Sequence, residues 1–381
     1  MIPYGKQEVT EDDVTAVARV LVSDLIAQGP QVEAFERAVA ARVGARHGVA
    51  MNSATSALHV ACLALGVGPG DIVWTSPITF VASANAALYC GAQVDFIDID
   101  PKRWTMSVAA LEAKLEAASQ TGTLPKVVIP VHFMGEPCDM ASIGALSQRY
   151  GFRVIEDAAH AIGGRYGNKP IGAGDHADIT VFSFHPVKVI TTGEGGMAMT
   201  NDDTLAHRLR SLRSHGITRE GSEMEGECHG LWYYQQLSLG FNYRMTDIQG
   251  ALGLSQLARL DEYVARRHAL ADRYDAALSR LPLDLPYRDP KHYSGVHLYV
   301  VRLKRHSRRE VYDALRARGI GLNVHYIPVH TQPYYRKLGF KAGDFPASEA
   351  YYQEALTLPL YPTLSEAEQD QVVAAFHKVL S

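Results

Sequence analysis

The chain contains 381 residues, of which 47% are hydrophobic and 20% are charged, and its formal net charge is −4. This composition is that of an ordinary globular protein, and the small negative charge provides no overall attraction to nucleic acid or to an anionic membrane surface. The apolar stretches end well short of the ~20 residues that cross a bilayer, and the first residues carry no signal region. Four cysteines without a CxxC pair favour reduced thiols, so we expect a cytoplasmic protein that binds neither nucleic acid nor membrane.

Short strand-like runs alternate with helical patterns through the first two thirds of the chain. Helices of crossover length are predicted over Ser56–Leu65, Val108–Ala118 and Met140–Tyr150. This alternation indicates an α/β fold with a largely parallel sheet between helices, and ligands in such sheets bind beyond the carboxyl ends of the strands. The predicted strands are His47–Met51, Asp71–Thr75, Gln93–Ile97, Val127–Val131, Phe152–Glu156, Ile179–Ser183 and Gly196–Thr200.

The pattern changes near Gln249, after which we predict a smaller α+β domain. A chain of this length is expected to form two domains, and we place a large domain over residues 1–250 and a small one over residues 251–381. The elements predicted for the second part are one long helix from Ile248 to about Leu281, a strand over His297–Leu303, a helix near Arg308–Arg318, a loop at His325–Tyr335 and a final helix from Ser365.

Lys188 is the most informative residue of the sequence. It lies between an apolar strand that ends at Ser183 and the glycine-rich loop Gly193–Gly196, which is a poor position for a solvated charge. An amine in an enclosed site can lose its proton near neutral pH and become a nucleophile toward carbonyls. The alternative is a buried lysine paired with an acid such as Glu194. Ser183 could offer its hydroxyl to a phosphate.

Asp157 stands at the end of another apolar run, followed by His160. A carboxylate at a strand end can keep a pyridinium nitrogen protonated, which makes the ring an electron sink. Asp157 could instead cap the following helix. His160 could orient the aspartate, face a substrate or be a structural histidine.

Three further motifs follow strands or begin helices. Thr55 and Ser56 lie where a strand gives way to a helix, and they could form an anion cradle or a plain cap. Phe80 follows the second strand and could stack on a planar ring or belong to the core. Arg244 precedes the long helix and suits a phosphate, a carboxylate or a structural ion pair.

Two classes of site are excluded by motif. The sixteen histidines show no HExxH, HxH or Cys/His ligand spacing, so we expect no metal site. Neither a GxGxxG after the first strand nor a GxxxxGK[ST] loop is present, which argues against dinucleotide and ATP chemistry.

Taken together and in this order, the motifs resemble the pyridoxal-phosphate (PLP)-dependent nucleotide-sugar aminotransferases of the DegT/DnrJ/EryC1/StrS family. The resemblance extends over essentially the whole chain and is nearest to the branch that aminates UDP-4-keto sugars in pseudaminic acid biosynthesis. The supporting segments are Ile2–Gly5, Ser76–Phe80, Phe182–Lys188, Arg213–Thr218 and Val324–His330.

This resemblance implies an aspartate-aminotransferase fold (PLP fold type I), with a mostly parallel seven-stranded sheet between helices and PLP as the cofactor. It implies that Lys188 carries the cofactor as an imine, that Asp157 meets the pyridine nitrogen and that Phe80 covers the ring. Asn242 would reach the cofactor of the neighbouring subunit, so the expected active unit is a homodimer with shared sites. The remaining implied contacts are Thr55, Ser56 and Ser183 for the phosphate, His160 beside the cofactor, and His185, Arg244 and His325 in the sugar-nucleotide pocket.

The expected reaction moves an amino group from an amino acid, with glutamate as the donor, to C4 of a UDP-linked 4-keto-6-deoxy-N-acetylhexosamine. The alternatives are a same-family aminotransferase for UDP-4-keto-arabinose or a dTDP-4-keto-hexose, or a regulatory relative without turnover. Some relatives replace the lysine with histidine and act as dehydratases, and Lys188 argues against that here.

Overall fold

A computed structural model describes residues 1–380, and its strands build one large sheet and three small ones. The strands are β1 (His47–Met51), β2 (Ile72–Thr75), β3 (Gln93–Phe96), β4 (Val127–Ile129), β5 (Arg153–Asp157), β6 (Arg165–Tyr166), β7 (Lys169–Pro170), β8 (Ile179–Ser183), β9 (Gly196–Thr200), β10 (Ile217–Thr218), β11 (Gln235–Gln236), β12 (Leu283–Asp284), β13 (Tyr299–Leu303) and β14 (Ala355–Leu358).

The large sheet has seven strands in the order β1-β9-β8-β5-β4-β2-β3. Its strands run parallel except β9, which is antiparallel to both of its neighbours. All seven predicted strands belong to this sheet, so the prediction of a mostly parallel seven-stranded sheet is confirmed. The central strands β8 and β9 are buried along their whole length, because apolar side chains on both faces are covered by helices.

Helices flank this sheet and continue to the C-terminal end. No helix within residues 1–380 is long and apolar enough to span a bilayer. The α-helices are α1 (Glu11–Leu21), α2 (Pro30–Val43), α3 (Ala54–Ala64), α4 (Ala82–Tyr89), α5 (Val108–Thr121), α6 (Met140–Tyr150), α7 (Asp203–Arg213), α8 (Asp247–Leu257), α9 (Leu260–Leu278), α10 (Arg308–Arg316), α11 (Pro333–Lys337), α12 (Pro346–Glu354) and α13 (Glu366–Leu380).

The prediction of one long helix from Ile248 to Leu281 is wrong, because the chain turns at Arg259 between α8 and α9. The turn directs the Arg259 guanidinium to the buried carboxylate of Asp13, with Nη2 2.7 Å from Oδ2. The first of these two helices, α8, begins at Asp247, within one residue of the predicted start at Ile248. Thr246 caps it in a reciprocal pair with Gln249.

Asp13 is the centre of a fully bonded cluster that joins α1 to α8 and α9. Its carboxylate accepts hydrogen bonds from the Thr10 N–H, the Ser255 hydroxyl, the Gln256 amide and the Arg259 guanidinium. Burial raises the pKa of Asp13, but the bonds from Arg259, Ser255, Thr10 and Gln256 outweigh burial, so the pKa is lowered. Each oxygen of this buried charge therefore has partners.

The second part of the chain has a sheet and an apolar cluster of its own. β13 lies between β12 and β14 in an antiparallel sheet, and α9, α10 and α13 contribute to the same cluster. Ile2 belongs to this cluster too, since its backbone bridges to Ile320. The N-terminal residues thus pack on the C-terminal part, and the boundary near residue 250 stays a prediction.

Candidate active site

The ends of three neighbouring strands meet at one edge of the large sheet. Met51 pairs with Gly196, and Gly196 pairs with Ser183. Since β1 and β8 end where β9 begins, their final residues lie side by side. A Cβ on Gly196 would come 2.4 Å from the Ala54 nitrogen, so only glycine lets the strand approach the start of α3 this closely.

Asp157 ends β5 at the same edge, and its side chain is held at both oxygens. The Ser83 hydroxyl donates to Oδ2 at 2.6 Å, and the Ala159 N–H donates to Oδ1 at 3.1 Å. The carboxylate is buried and has a fixed direction. Its position at the end of a strand is as predicted, and its contact with a ring nitrogen stays a prediction.

Lys188 lies in the turn after β8, and its amine has no hydrogen bond or ion pair with residues 1–380. Burial lowers the pKa of Lys188 to about 8, although the charge of Asp157 acts in the opposite direction. Glu194, the acid considered as an alternative partner, instead lies 3.9 Å from His185 Nε2. The amine is thus enclosed without a salt bridge and is partly deprotonated near neutral pH.

Three buried histidines are close enough to this amine for its charge to affect their pKa values. Burial first, and then the charge of Lys188, lowers the pKa of His160 and of His297 far below the usual value for histidine. The same two causes lower the pKa of His325 to about 3. All three rings are therefore neutral at physiological pH, so they add no positive charge beside Lys188.

The aromatic rings next to this cluster come from two separate segments. Phe80 follows β2 with 59% of its surface exposed, and its ring centroid lies 6.4 Å from that of Tyr326. The Tyr326 hydroxyl lies 3.1 Å from His160 Nε2. Tyr326 thus connects Phe80 with His160, and the predicted position of Phe80 over a cofactor ring stays a prediction.

The hydroxyls predicted to hold a phosphate lie at the start of α3 and the end of β8. Ser53 is the cap of α3, accepting from the Ser56 N–H at 3.1 Å. Ser56 donates its hydroxyl to Asn52 Oδ1 at 2.7 Å, whereas Thr55 makes no side-chain hydrogen bond with residues 1–380. Ser183 accepts only a long 3.5 Å bond from the His185 N–H. Thr55, Ser183 and the first amides of α3 are thus the groups best able to bind an anion.

Three other predicted residues lie at the margin of this centre. The backbone of Arg244 bridges to Met51, and the Tyr243 carbonyl accepts from the Asn52 N–H. Asn242 precedes them with an exposed side chain. His185 is exposed and faces Glu194 rather than Lys188. Within one chain, the structure does not bring Asn242, Arg244 or His185 against the Lys188 amine.

Several residues of the centre were not predicted. Ser83 lies four positions after Thr79 on the first turn of α4, and its hydroxyl is 2.7 Å from that of Thr79, but no motif marks it. His297 begins the strand-like segment that becomes β13 and carries no sequence signal of its own. Tyr326 was noted only within a longer segment.

This donor set fits a phosphorylated pyridine aldehyde. Lys188 provides an amine without a salt bridge, Asp157 provides a fixed carboxylate for a ring nitrogen, and the start of α3 provides amides for a phosphate. The close approach of Gly196 leaves that helix start at the sheet edge. A fold of this kind with a buried lysine after a strand of the large sheet is typical of PLP enzymes.

The comparisons with known proteins agree with that class. The sequence matches the DegT/DnrJ/EryC1/StrS aminotransferase family over residues 7–377. It is 41% identical to the spore coat polysaccharide biosynthesis protein SpsC of Bacillus subtilis, covering 100% of this chain and 97% of SpsC. Among solved structures, Helicobacter pylori PseC, an aminotransferase involved in pseudaminic acid biosynthesis, superimposes with a TM-score of 0.91 at 29% identity, covering 100% of this chain and 99% of PseC.

A second solved structure, DesV of Streptomyces venezuelae in complex with a ketimine intermediate, has a TM-score of 0.86 and 34% identity, covering 96% of this chain and 93% of DesV. The chain belongs to the DegT/DnrJ/EryC1/StrS aminotransferase family. It is a PLP-dependent sugar aminotransferase with the type I fold, as the sequence predicted.

Proposed function

We propose that the protein transfers an amino group from L-glutamate to C4 of a UDP-linked 4-keto-6-deoxy-N-acetylhexosamine. The product is UDP-4-amino-4,6-dideoxy-N-acetyl-altrosamine, an intermediate on the way to pseudaminic acid. The resemblance to PseC over the full length of both chains supports this substrate. The observation that carries the chemistry is the enclosed Lys188 amine beside Asp157.

The roles of the side chains follow from their positions. When bound, PLP supplies an aldehyde that takes up the amino group and a ring that withdraws electrons from the carbon losing its proton. The Asp157 carboxylate, held in one direction by Ser83 and Ala159, would keep a proton on the ring nitrogen by its negative charge. The Lys188 amine would move a proton to and from the reacting carbon, a role in which a positioned base is worth ~10²–10⁴-fold in rate.

The remaining residues of the site are proposed to bind the phosphate and the sugar and to cover the cofactor ring. Thr55, Ser183 and the start of α3 would hold the phosphate, and Phe80, whose ring lies 6.4 Å from that of Tyr326, would cover the pyridine ring. His325 lines the sugar side of the cleft, where its ring is fixed by Thr357 at 2.8 Å. Its Nε2 lies 3.3 Å from the Asn323 side-chain nitrogen, so the neutral ring would bind a sugar hydroxyl by giving up this long contact.

We further propose that the enzyme is cytoplasmic and acts as a homodimer, with Asn242 and Arg244 completing the partner's site. The exposed position of Asn242 supports this, because its side chain makes no hydrogen bond within residues 1–380 of its own chain. Leu231 and Trp232 are also exposed on the adjoining segment, and apolar surface of this kind favours association.

A second substrate class has its own support. The identity to SpsC is 41%, compared with 29% to PseC, so a nucleotide keto sugar for a surface polysaccharide is the alternative acceptor. The cofactor residues are the same for both substrates, and the difference lies in the sugar pocket.

The experiment is mass analysis of the products from a panel of UDP- and dTDP-linked 4-keto sugars with glutamate as donor. The proposal expects amination of the UDP-4-keto-6-deoxy-N-acetylhexosamine in preference to the dTDP sugars and UDP-4-keto-arabinose. Lys188→Met is the matched control for background reaction. Preferential turnover of another member of the panel would replace the proposed substrate, and NMR of the product assigns the configuration at C4.

A further inference from the structure

His297 is a buried residue of the centre that has no hydrogen-bond partner for its ring. Its Nδ1 is buried without a partner within residues 1–380, and its ring centroid lies 4.5 Å from that of His160. His160 Nδ1 is likewise buried without a partner. Two such atoms in contacting rings require a reason, since buried polar groups are nearly always paired.

The fold holds the His297 backbone by unusual means. Val296, directly before it, has φ 40°, which is rare for a β-branched residue. Arg267 is buried without a carboxylate partner and donates to the His297 carbonyl at 3.1 Å and to the Leu360 carbonyl at 3.0 Å. Burial lowers the pKa of this guanidinium to about 10. Strain and an unpaired buried charge persist where the surrounding structure requires one geometry.

Glycines bring the same segment against the backbone of His160. A Cβ on Gly135 would lie 2.6 Å from the Val296 nitrogen and 2.9 Å from the His160 carbonyl oxygen. A Cβ on Gly295 would lie 3.0 Å from the same oxygen. Larger residues would separate the two segments, so the contact between the histidine rings depends on these positions.

His160 connects His297 to the residues around Lys188 through its contacts with Tyr326. Its Nε2 lies 3.1 Å from the Tyr326 hydroxyl, and the two rings stack with an interplanar angle of 22°. Tyr326 in turn approaches Phe80. A displaced His160 would therefore disturb both the ring that covers the cleft and the surroundings of Lys188.

We propose that His297 is a positioning residue, whose ring packs against His160 and keeps the His160–Tyr326 pair in place beside Lys188. The inference rests on the proposed function, because it assigns the pair to the cleft in which the cofactor is bound. His297 itself is not assigned a contact with substrate. Its effect is to keep water away from the amine and to fix the wall of the cleft.

The test compares His297→Ala with His297→Phe, which restores a ring of similar volume without nitrogens. His268→Phe is the matched control, since His268 contacts the same segment through the Ser294 carbonyl and the Tyr293 ring but not His160. In cofactor-free protein, the pH dependence of Lys188 labelling by a small aldehyde and borohydride is read by peptide mass spectrometry. In loaded protein, the pH titration of the visible cofactor band and the steady-state kinetics are recorded.

For His297→Ala we expect the labelling midpoint to rise from near pH 8 toward the ordinary lysine range, because water enters and solvates the ammonium. We expect kcat to fall about tenfold or more with little change in KM. His297→Phe should restore both values, and His268→Phe should match the wild type. If the alanine variant does not fold, His297→Leu replaces it.

The inference is overturned if His297→Ala leaves the midpoint of Lys188 labelling and kcat unchanged. It is also overturned if His297→Phe does not restore both values. A failure of the proposed function looks different. The wild type would then bind the cofactor but would not aminate the proposed sugar, while the labelling of Lys188 and the titration of the cofactor band would still report on His297.

Discussion

Two buried clusters of polar residues differ in how far their groups are satisfied. At Asp13, a carboxylate buried between helices has hydrogen bonds at both oxygens and a guanidinium partner. At Lys188, an amine is enclosed among neutral histidines, and the Nδ1 atoms of His160 and His297 lack hydrogen-bond partners. The first arrangement stabilises the fold, whereas the second keeps reactive groups available at a cost in stability. In this pair of clusters, complete pairing accompanies the structural role and incomplete pairing accompanies the reactive groups.

The largest expected effect is on turnover. Lys188→Met should abolish the visible band of the bound cofactor and reduce turnover by ~10⁴-fold or more, because both the imine-forming amine and the base are lost. Absorbance spectroscopy and product analysis measure these changes. A variant that keeps substantial turnover would remove Lys188 from the chemistry.

A substitution in the Asp13 cluster should change the stability of the fold and leave turnover unchanged. Asp13→Asn removes a buried charge opposite Arg259 and should lower the free energy of unfolding by about 3 kcal/mol at pH 7. Because the pKa of Asp13 is lowered by folding, its contribution is present above the ordinary carboxyl pKa of ~3.9 and is lost as the pH falls through the folded value.

Urea unfolding from pH 7 down to pH 3 checks this, and the difference between wild type and variant should shrink in acid. Turnover by the folded variant should equal that of the wild type. An unchanged unfolding midpoint at pH 7 would show that the Asp13 cluster contributes little.

A smaller effect of opposite sign is expected at Lys188. Its pKa of about 8 lies below the ~10.4 of an unfolded lysine, so the fold bears the full cost of the buried ammonium at any pH below 8. That cost fades between pH 8 and about 10.4. Cofactor-free Lys188→Met should therefore be more stable than the wild type by about 1 kcal/mol at neutral pH, after allowance for partial hydration of the amine.

Urea unfolding of the cofactor-free proteins at pH 7 and pH 10.5 measures this gain, which should vanish at the higher pH. Lys169→Met is the control, because Lys169 is exposed and pairs only with Asp175. A loss of stability in Lys188→Met would mean that the amine is stabilising, contrary to the comparison of the two clusters.

Much of the sheet and its reactive edge could be predicted from the sequence, since apolar strands and the residues that end them are local signals. Asp157 and Ser183 were placed at strand ends by this reasoning. The break at Arg259 was not predicted, and the partner of Arg259 at this turn is Asp13, which is almost 250 positions away along the chain. His297 was missed for the same reason, as its role depends on contacts with His160 and Arg267 that only the fold creates.

The roles predicted for individual side chains also differ in whether they follow from local sequence or from contacts with other molecules. Lys188 and Asp157 follow from residue type and strand position. Asn242 depends on a partner subunit, and the substrate contacts of Arg244 and His325 depend on the sugar, so these assignments remain predictions.

The most direct test of the central claim is to add PLP to cofactor-free protein over a range of pH, trap the product with borohydride and map the modified lysine by mass spectrometry. We predict an adduct on Lys188 alone, with a loading rate that rises to a midpoint near pH 8. An adduct on another lysine, or a midpoint above pH 10 as for a solvated amine, would contradict the assignment of Lys188 as the enclosed, reactive amine.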